Sequence, residues 1–478
     1  MPLKAFKYAF LISTFVLSLF SPRLSAQRTW TLSECVDFAL KNNISVRRTE
    51  INAGLAEVTQ NQSRAALYPT LNASAGRNWS FGRNIDPFTN QFTTDQVESD
   101  NLSLNSGVTL FSGFQLTNTL KQSRLEYMAA KSDLQKIRND ISLNVVSAYL
   151  QLLYAGEQLK VAAARVEQST LQRDRISKMV EAGTMVQGNL LDVETQLANE
   201  ELARITAENQ LMNARLTLTQ LMQIPSPEGF VAADPGATVP DSAPLQMKPA
   251  QLYELSLGIL PEVKAAEARV SGAEKALLVA RGGLYPRLTA FGQVSSFYSS
   301  SNKRIVGLNY SGYGWSGDLT TGGDSVISPL FNRILETNPY NDQLDQNLRK
   351  AVGLSLSIPI FNGRSTSAGI QRARLNLENA RLSASQTRNQ LYQSIQQAHT
   401  DAQAAAKRLD AVSRSMNSFE KAFEYASKRL DAGLSNSLDY LNATTNLTRA
   451  RIELLQAKYD YIFRLKVLDF YAGKPLSL

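Results

Sequence analysis

The chain has 478 residues, 50 Lys and Arg against 42 Asp and Glu, and a single cysteine, Cys35, which excludes an intramolecular disulfide framework. The net charge of +8 is scattered along helix-like faces rather than clustered, which argues against nucleic-acid binding. One histidine, His399, and scattered methionines leave no His-rich or thioether metal site, no catalytic constellation and no expected cofactor.

Residues 1–26 read as an export signal. Lys4 and Lys7 precede an apolar run over 9–20, and Leu24-Ser25-Ala26 offers a cleavage point. The run falls short of the about 20 apolar residues of a transmembrane helix, so an uncleaved anchor is the alternative. No later segment approaches a transmembrane helix, which leaves a secreted, periplasmic or outer-membrane barrel protein.

A first repeat is expected over 27–224. It opens on a short amphipathic helix over 30–43, with Leu32, Val36, Phe38, Ala39 and Leu40 apolar. A second helix over 46–67 stops at Tyr68-Pro69, because proline cannot donate to the helix ladder. Two strands follow, roughly 69–81 and 101–111, separated by a polar loop over 82–100. In the second strand Leu102, Leu104, Val108 and Leu110 alternate with Ser103, Asn105, Gly107 and Thr109. This is the apolar-out, polar-in pattern of a membrane β-strand of about 10 residues, although a half-buried strand of a soluble sheet alternates identically. Past Phe111-Ser112-Gly113 the spacing predicts a helix of about 65 residues, on the order of 100 Å. It ends at a tip over 182–189, where Gly183 suits a left-handed C-cap, and a partner helix starts near Gly188.

Residues 225–249 hold six prolines and read as an extended linker. The second repeat, 250–478, says the same thing again. A helix over 263–284 stops at Tyr285-Pro286, an offset of 217 from Tyr68-Pro69. Strands are expected over 286–297 and 350–361, with Val352, Leu354, Leu356, Ile358 and Ile360 as the outward row. Between them lies a longer outer loop, 299–349, which carries Tyr310, Tyr313 and Trp315 and lengthens the offset to 250. Gly113 accordingly recurs at Gly363, and the Ala182-Gly183 tip recurs at Ala432-Gly433, within a tip over 432–439. Both long helices carry rows of apolar or small residues at steps of three and four. Both rows break rhythm at equivalent places, Ile137-Ile141-Val145 and Thr387-Leu391-Ile395, the mark of a duplicated coiled-coil element.

Four strands cannot close a barrel, for which about eight is the practical minimum, and an open sheet edge is intolerable in lipid. The fold class expected is therefore a mixed α/β membrane protein. Its four strands per protomer would contribute to a shared, trimeric, twelve-stranded outer-membrane barrel, continuous with a long coiled-coil helical barrel. Frequent alanines in the second seam, among them Ala373, Ala380 and Ala402, suit close packing into a wide ring, with a solid bundle as the alternative.

These features resemble the TolC-like outer-membrane efflux channels over essentially the whole mature chain. The resemblance rests on the Trp30-Thr31-Leu32 opening, the Tyr-Pro strand starts, the Phe-x-Gly exits, the Ala-Gly tips and the run over 443–447. It implies a trimeric export duct in the outer membrane of a Gram-negative cell, without enzymatic activity, that extends helices into the periplasm. It also implies docking of a periplasmic adaptor protein and an inner-membrane pump, with the contacts at Ala182, Gly183, Thr184, Ala432, Gly433 and Leu434. Six residues past the tip glycine the family commonly places a gate aspartate, which is Asp439 here, whereas the first repeat has Asn189 and, three residues on, Asp192. Rings of Asp439 and Asp192 would select cations; each is alternatively a helix N-terminal residue complementing the dipole. The sequence departs from the family at Ser435, where a latching arginine is found; Lys428 and Arg429 lie across the turn. A structural or adhesive coiled-coil envelope protein is the competing reading of the whole chain.

Overall fold

The computed structural model describes residues 29–85, 90, 92–94, 96–234, 243–432, 434 and 437–474. The expected signal at 1–26, Gly433 and Ser435 lie outside them. In chain order the first half comprises β1 (Thr29–Trp30), α1 (Leu32–Asn42), α2 (Ile44–Ala65), β2 (Thr70–Ser80), β3 (Asn84–Ile85), β4 (Phe92–Thr93), β5 (Val97–Ser112), α3 (Gln115–Glu181) and α4 (Gln187–Met222). Then come β6 (Val231–Ala232) and α5 (Ala243–Gln246). The second half comprises α6 (Pro249–Ile259), α7 (Pro261–Gly282), β7 (Arg287–Ser299), β8 (Lys303–Leu319), β9 (Ser325–Thr337), α8 (Tyr340–Gln346), β10 (Arg349–Ser357), α9 (Ser365–Asp431) and α10 (Ser437–Tyr471).

The duplication holds to the residue. Both ends of α6 and α7 lie 217 positions after those of α1 and α2, and α3 and α9 are each 67 residues long with bounds 250 apart. Special backbone recurs too. Gly113-Phe114 and Gly363-Arg364 turn the corner from strand to long helix on consecutive positive φ angles, and Gln223 and Gly473 close the partner helices the same way. At the first corner the glycine is sterically required as well, because a Cβ on Gly113 would overlap the Gly282 carbonyl oxygen. Around Gly363 the space is open.

Three expectations are corrected. The linker over 225–249 is not simply extended: β6 pairs in parallel with β1, and α5 follows. The second repeat opens on α6, which the sequence reading left unassigned; Pro249 begins it without losing a needed donor. The outer loop over 299–349 is a long β8–β9 hairpin followed by α8. The shorter loop over 82–100 likewise holds the β3–β4 pair and the first residues of β5.

The chain divides into two compact units. One, Met1–Leu55 with Tyr127–Arg269 and Arg381–Leu478, has a helical core. Its first cluster joins Cys35 and Ala39 of α1, Val145, Tyr149 and Leu152 of α3, Leu218 and Met222 of α4 and Ile462 of α10. Its second joins Leu252 of α6, Val263 of α7, Ile395, Ala398 and Ala402 of α9 and Leu468 of α10. Val145 and Ile395, and Leu218 and Leu468, are equivalent by the 250-residue offset. Thr31 caps α1 through a reciprocal bond with Glu34. The seam residues picked out along α3 and α9 are all buried or half-buried, including the polar exceptions Ser123 and Ser169.

Tyr149 spans the first cluster, donating its hydroxyl to the carbonyls of Trp30 at 3.0 Å and Ala233 at 2.5 Å. At the equivalent position His399, read from sequence as a flank residue, is buried with Nε2 3.3 Å from the Leu245 carbonyl oxygen. Both side chains thus tie a long helix to the segment that joins the repeats.

The other unit, Ala56–Glu126 with Val270–Ala380, contains an antiparallel sheet in the order β10-β7-β5-β2.

Candidate functional site

Cross-strand partners share a face of a sheet, so the pairing register sorts every side chain. One face carries Leu71, Ala73 and Ala75 of β2, Leu102, Leu104 and Val108 of β5, Leu288, Ala290 and Val294 of β7, and Val352, Leu354 and Leu356 of β10. The other carries Asn72, Ser74 and Asn78, Asn101, Ser103 and Asn105, Thr289, Gln293 and Ser295, and Ser355 and Ser357. Phe291 is an apolar exception on that face, lying over Gly353. Strands alternating into a mainly apolar face, interrupted by Ser106, Ser296 and Lys350, and a mostly polar face are the construction of a barrel wall between lipid and water. Both faces are accessible: Val352 is 90% exposed and Leu354 67%. Such exposure of large aliphatics has no explanation in water.

Three expected positions shift. Leu110 falls at an irregularity between Thr109 and Phe111, so Phe111, paired with Leu288, continues the apolar row in its place. Ile358 and Ile360 lie beyond β10, which stops at Ser357, just ahead of Pro359 and its absent donor. The remaining row residues stand where the alternation put them.

At the end of the sheet away from the long helices, the same apolar face turns polar and aromatic. Arg77 makes a bidentate ion pair with Asp100, both bonds at 2.7 Å, beside Trp79, Glu98 and Tyr298. The apolar stretch of β5 from Leu102 to Phe111 spans about 25–30 Å along the strand, which a tilt of about 40° brings near the apolar band height of outer-membrane barrels.

In the helical unit, the first tip is closed by its own backbone. Gly183 sits at φ +74, and the Thr184 amide and hydroxyl both donate to the Met179 carbonyl, at 2.9 and 2.8 Å. The equivalent bond at the second tip runs from the Leu434 amide to the Arg429 carbonyl, at 2.8 Å. Lys428 pairs with Glu424 at 2.6 Å, and Arg429 reaches the Leu434 carbonyl at 3.4 Å. Ala182, Gly183, Thr184, Ala432 and Leu434 are exposed.

The two aspartates differ in placement. Asp439 lies in the first turn of α10, where a carboxylate complements the helix dipole. Asp192 lies five residues past the start of α4, beyond the turn where that effect is felt. Both are exposed.

A polar chain that sequence reasoning missed crosses three helices. Arg165 of α3 meets Glu200 of α4 at 3.4 Å and Gln168 at 3.2 Å, and Gln168 donates to the Tyr440 hydroxyl of α10 at 3.1 Å. Burial lowers the Arg165 guanidinium from its ordinary value, opposed by Glu200. Arg165 was legible only as a polar residue one step before the seam position Val166. Among the described residues, no group of three or more His, Cys, Asp or Glu is placed to hold a metal, and no helix is long and apolar enough to cross a membrane.

The profile of the family described as Outer membrane efflux protein matches residues 36–222 and 252–474, one stretch for each repeat. The chain is 22% identical over 424 residues to the Alkaline protease secretion protein AprF of Pseudomonas aeruginosa, covering 86% of this chain and 77% of that one. It is 24% identical over 448 residues to the Outer membrane protein TolC of Escherichia coli, covering 92% and 81%. In three dimensions it resembles the outer membrane protein VceC of Vibrio cholerae, with a TM-score of 0.73 at 17% identity over 93% of this chain and 96% of that one. With the duplicated profile, the two-faced sheet and the paired long helices all in register, the chain belongs to the outer membrane efflux protein family and is an export channel of the outer membrane.

Proposed function

We propose that three copies close one twelve-stranded barrel, with β2 of each chain pairing to β10 of the next, so that the apolar face meets lipid and the polar face lines the exit. The carrying observation is the sheet itself: four strands, one mainly apolar and one mostly polar face, and two edge strands without strand partners among the described residues. Lipid does not tolerate such edges. A lumen of Asn, Ser and Thr offers hydrogen bonds in every direction and no shaped pocket, which suits a passive duct whose cargo is chosen by a pump. The relatives' names, which include protease secretion and toxin and drug export, fit that division of labour.

The tips are the docking surface for a periplasmic adaptor. Besides Ala182, Gly183, Thr184 and Ala432, they expose the apolar side chains Val186 (70%) and Leu434 (72%). Threefold symmetry would bring Asp439 and Asp192 into two carboxylate rings about 5 Å apart along the helix axis, selecting cations.

Leu356→Arg puts a charge on the apolar face at mid-strand, costing about 2–4 kcal/mol near the bilayer midplane. It should lower the yield of heat-modifiable trimer in the outer-membrane fraction, while Ser355→Arg, on the polar face, should not. Equal tolerance of both would reject this closure. Planar-bilayer conductance tests the rings: Asp192→Ala with Asp439→Ala should nearly abolish cation selectivity and leave the trimer intact. Unchanged selectivity would return both residues to helix-terminal roles.

A further inference from the structure

The β8–β9 hairpin has a face that neither the duct nor the tips account for. Seventeen residues of β8 extend roughly 55 Å, and a two-stranded ribbon is marginal by itself in water. Its register shifts between Ile305 and Gly307 and again between Tyr310 and Gly312. Each shift inserts one residue on β8 and keeps its large side chains on the face of the odd-numbered residues of β9. Tyr310 therefore opposes Phe331, Tyr313 opposes Pro329, and Trp315 opposes Ile327. The reverse face is only partly covered from within the hairpin, Leu330 lying over Gly314 and Ile334 over Gly307 with about half of each side chain still exposed. The aromatic face is not filled, and Tyr313 is 68%, Trp315 63% and Ile327 64% exposed.

The ribbon leaves a fixed base. Gln343 of α8 is fully buried, its Nε2 donating to the carbonyls of Ser299 at 3.0 Å and Asn338 at 2.8 Å while its Oε1 accepts from the Ser299 amide at 3.0 Å. Lipid is an unsuitable cover for the aromatic face. The charged and aromatic belt of Arg77, Trp79, Glu98, Asp100 and Tyr298 ends the apolar band on the sheet before the hairpin begins.

We propose that the aromatic face of β8–β9 docks against the same hairpins of the two other copies, forming a threefold collar above the outer mouth. This rests on the three-copy closure. The hairpin leaves from β7 and returns through α8 to the edge strand β10, so closure by copies repeats it around the axis at one height. Three ribbons with their aromatic faces inward bury those rings and turn outward the reverse face, with its Asn309, Gly312 and Asn332. Arg333, which opposes Leu308 in the middle of the aromatic face, is matched to a ring of a neighbouring copy.

Site-specific cross-linking in outer membranes tests it. Cys35 is fully buried, so Tyr313→Cys supplies the reactive thiol. A short bismaleimide should give cross-linked dimers and trimers from Tyr313→Cys and none from Asn332→Cys on the reverse face. Heat-modifiable trimer without cross-linking at Tyr313→Cys, or with equal cross-linking at both positions, would overturn the collar and leave the closure standing. Loss of trimer from the unaltered chain would overturn both.

Discussion

In the first repeat Tyr149 holds two backbone carbonyls of different segments, Trp30 and Ala233, while 250 residues later His399 meets one, that of Leu245. The last-turn carbonyls differ in the same manner. Asn43 donates to the Leu221 carbonyl at 3.0 Å, whereas the equivalent Tyr471 carbonyl accepts from Ser256 at 2.8 Å. The bounds of α1, α2 and α3 and the backbone of the corners recur to the residue, but the polar fastenings do not. The physical reason is reach. A change in the length of α3 or α9 moves every later side chain around the helix by about 100° per residue, whereas a buried carbonyl needs only some donor within about 3 Å.

The sharpest way to break this comparison is at the strand-to-helix corners. Gly113→Ala incurs both the left-handed backbone cost and an overlap with the Gly282 carbonyl, about 2–5 kcal/mol in all. Gly363→Ala incurs the backbone cost alone, about 1–2 kcal/mol. Thermal unfolding of the purified protein in detergent should separate the two; equal losses would mean that the corners are steric equivalents.

Next come the two clasps. Tyr149→Phe leaves the Ala233 carbonyl short of a donor, since the Trp30 carbonyl keeps the Ala233 amide at 2.8 Å, and should cost about 1–3 kcal/mol, as should His399→Phe, which likewise orphans one carbonyl. Burial raises the Tyr149 phenol above its ordinary value. Its contribution is therefore complete below the unfolded value, about pH 10, and is lost as pH climbs beyond it. The stability gap between the native protein and Tyr149→Phe should narrow in alkali, and a constant gap would contradict the clasp.

The smallest effect concerns the helix ends. Gln223 adopts φ +59 where its equivalent is Gly473, so Gln223→Gly should gain about 1 kcal/mol. Gly473→Ala should lose stability, since its Cβ would come within 3.0 Å of Ile259. A loss on Gln223→Gly, read in the same unfolding assay, would show that the glutamine side chain holds more than its backbone costs.

Much of this was legible because long periodicities survive local noise: every seam position along α9, from Ile370 to Leu430, is buried or half-buried. The apolar row was legible wherever β5 and β10 keep their alternation, and it failed at Leu110 and Ile358, where an irregularity and a proline interrupt the count. The β8–β9 hairpin stayed hidden for the same reason, since three register shifts break a period of two into fragments too short to read. The Arg165–Gln168–Tyr440 chain joins residues far apart in sequence, so no spacing rule announces it.

Cys35 packs fully buried in the first helical cluster, and burial pushes its thiol up to about 12. An outer-membrane protein matures in an oxidising compartment, where an odd accessible thiol on each of several copies invites mixed disulfides. Once α1 docks, the sulfur has neither the access nor the thiolate fraction for exchange. Thiol oxidation of this chain is thus confined to the interval between export and the seating of one short helix.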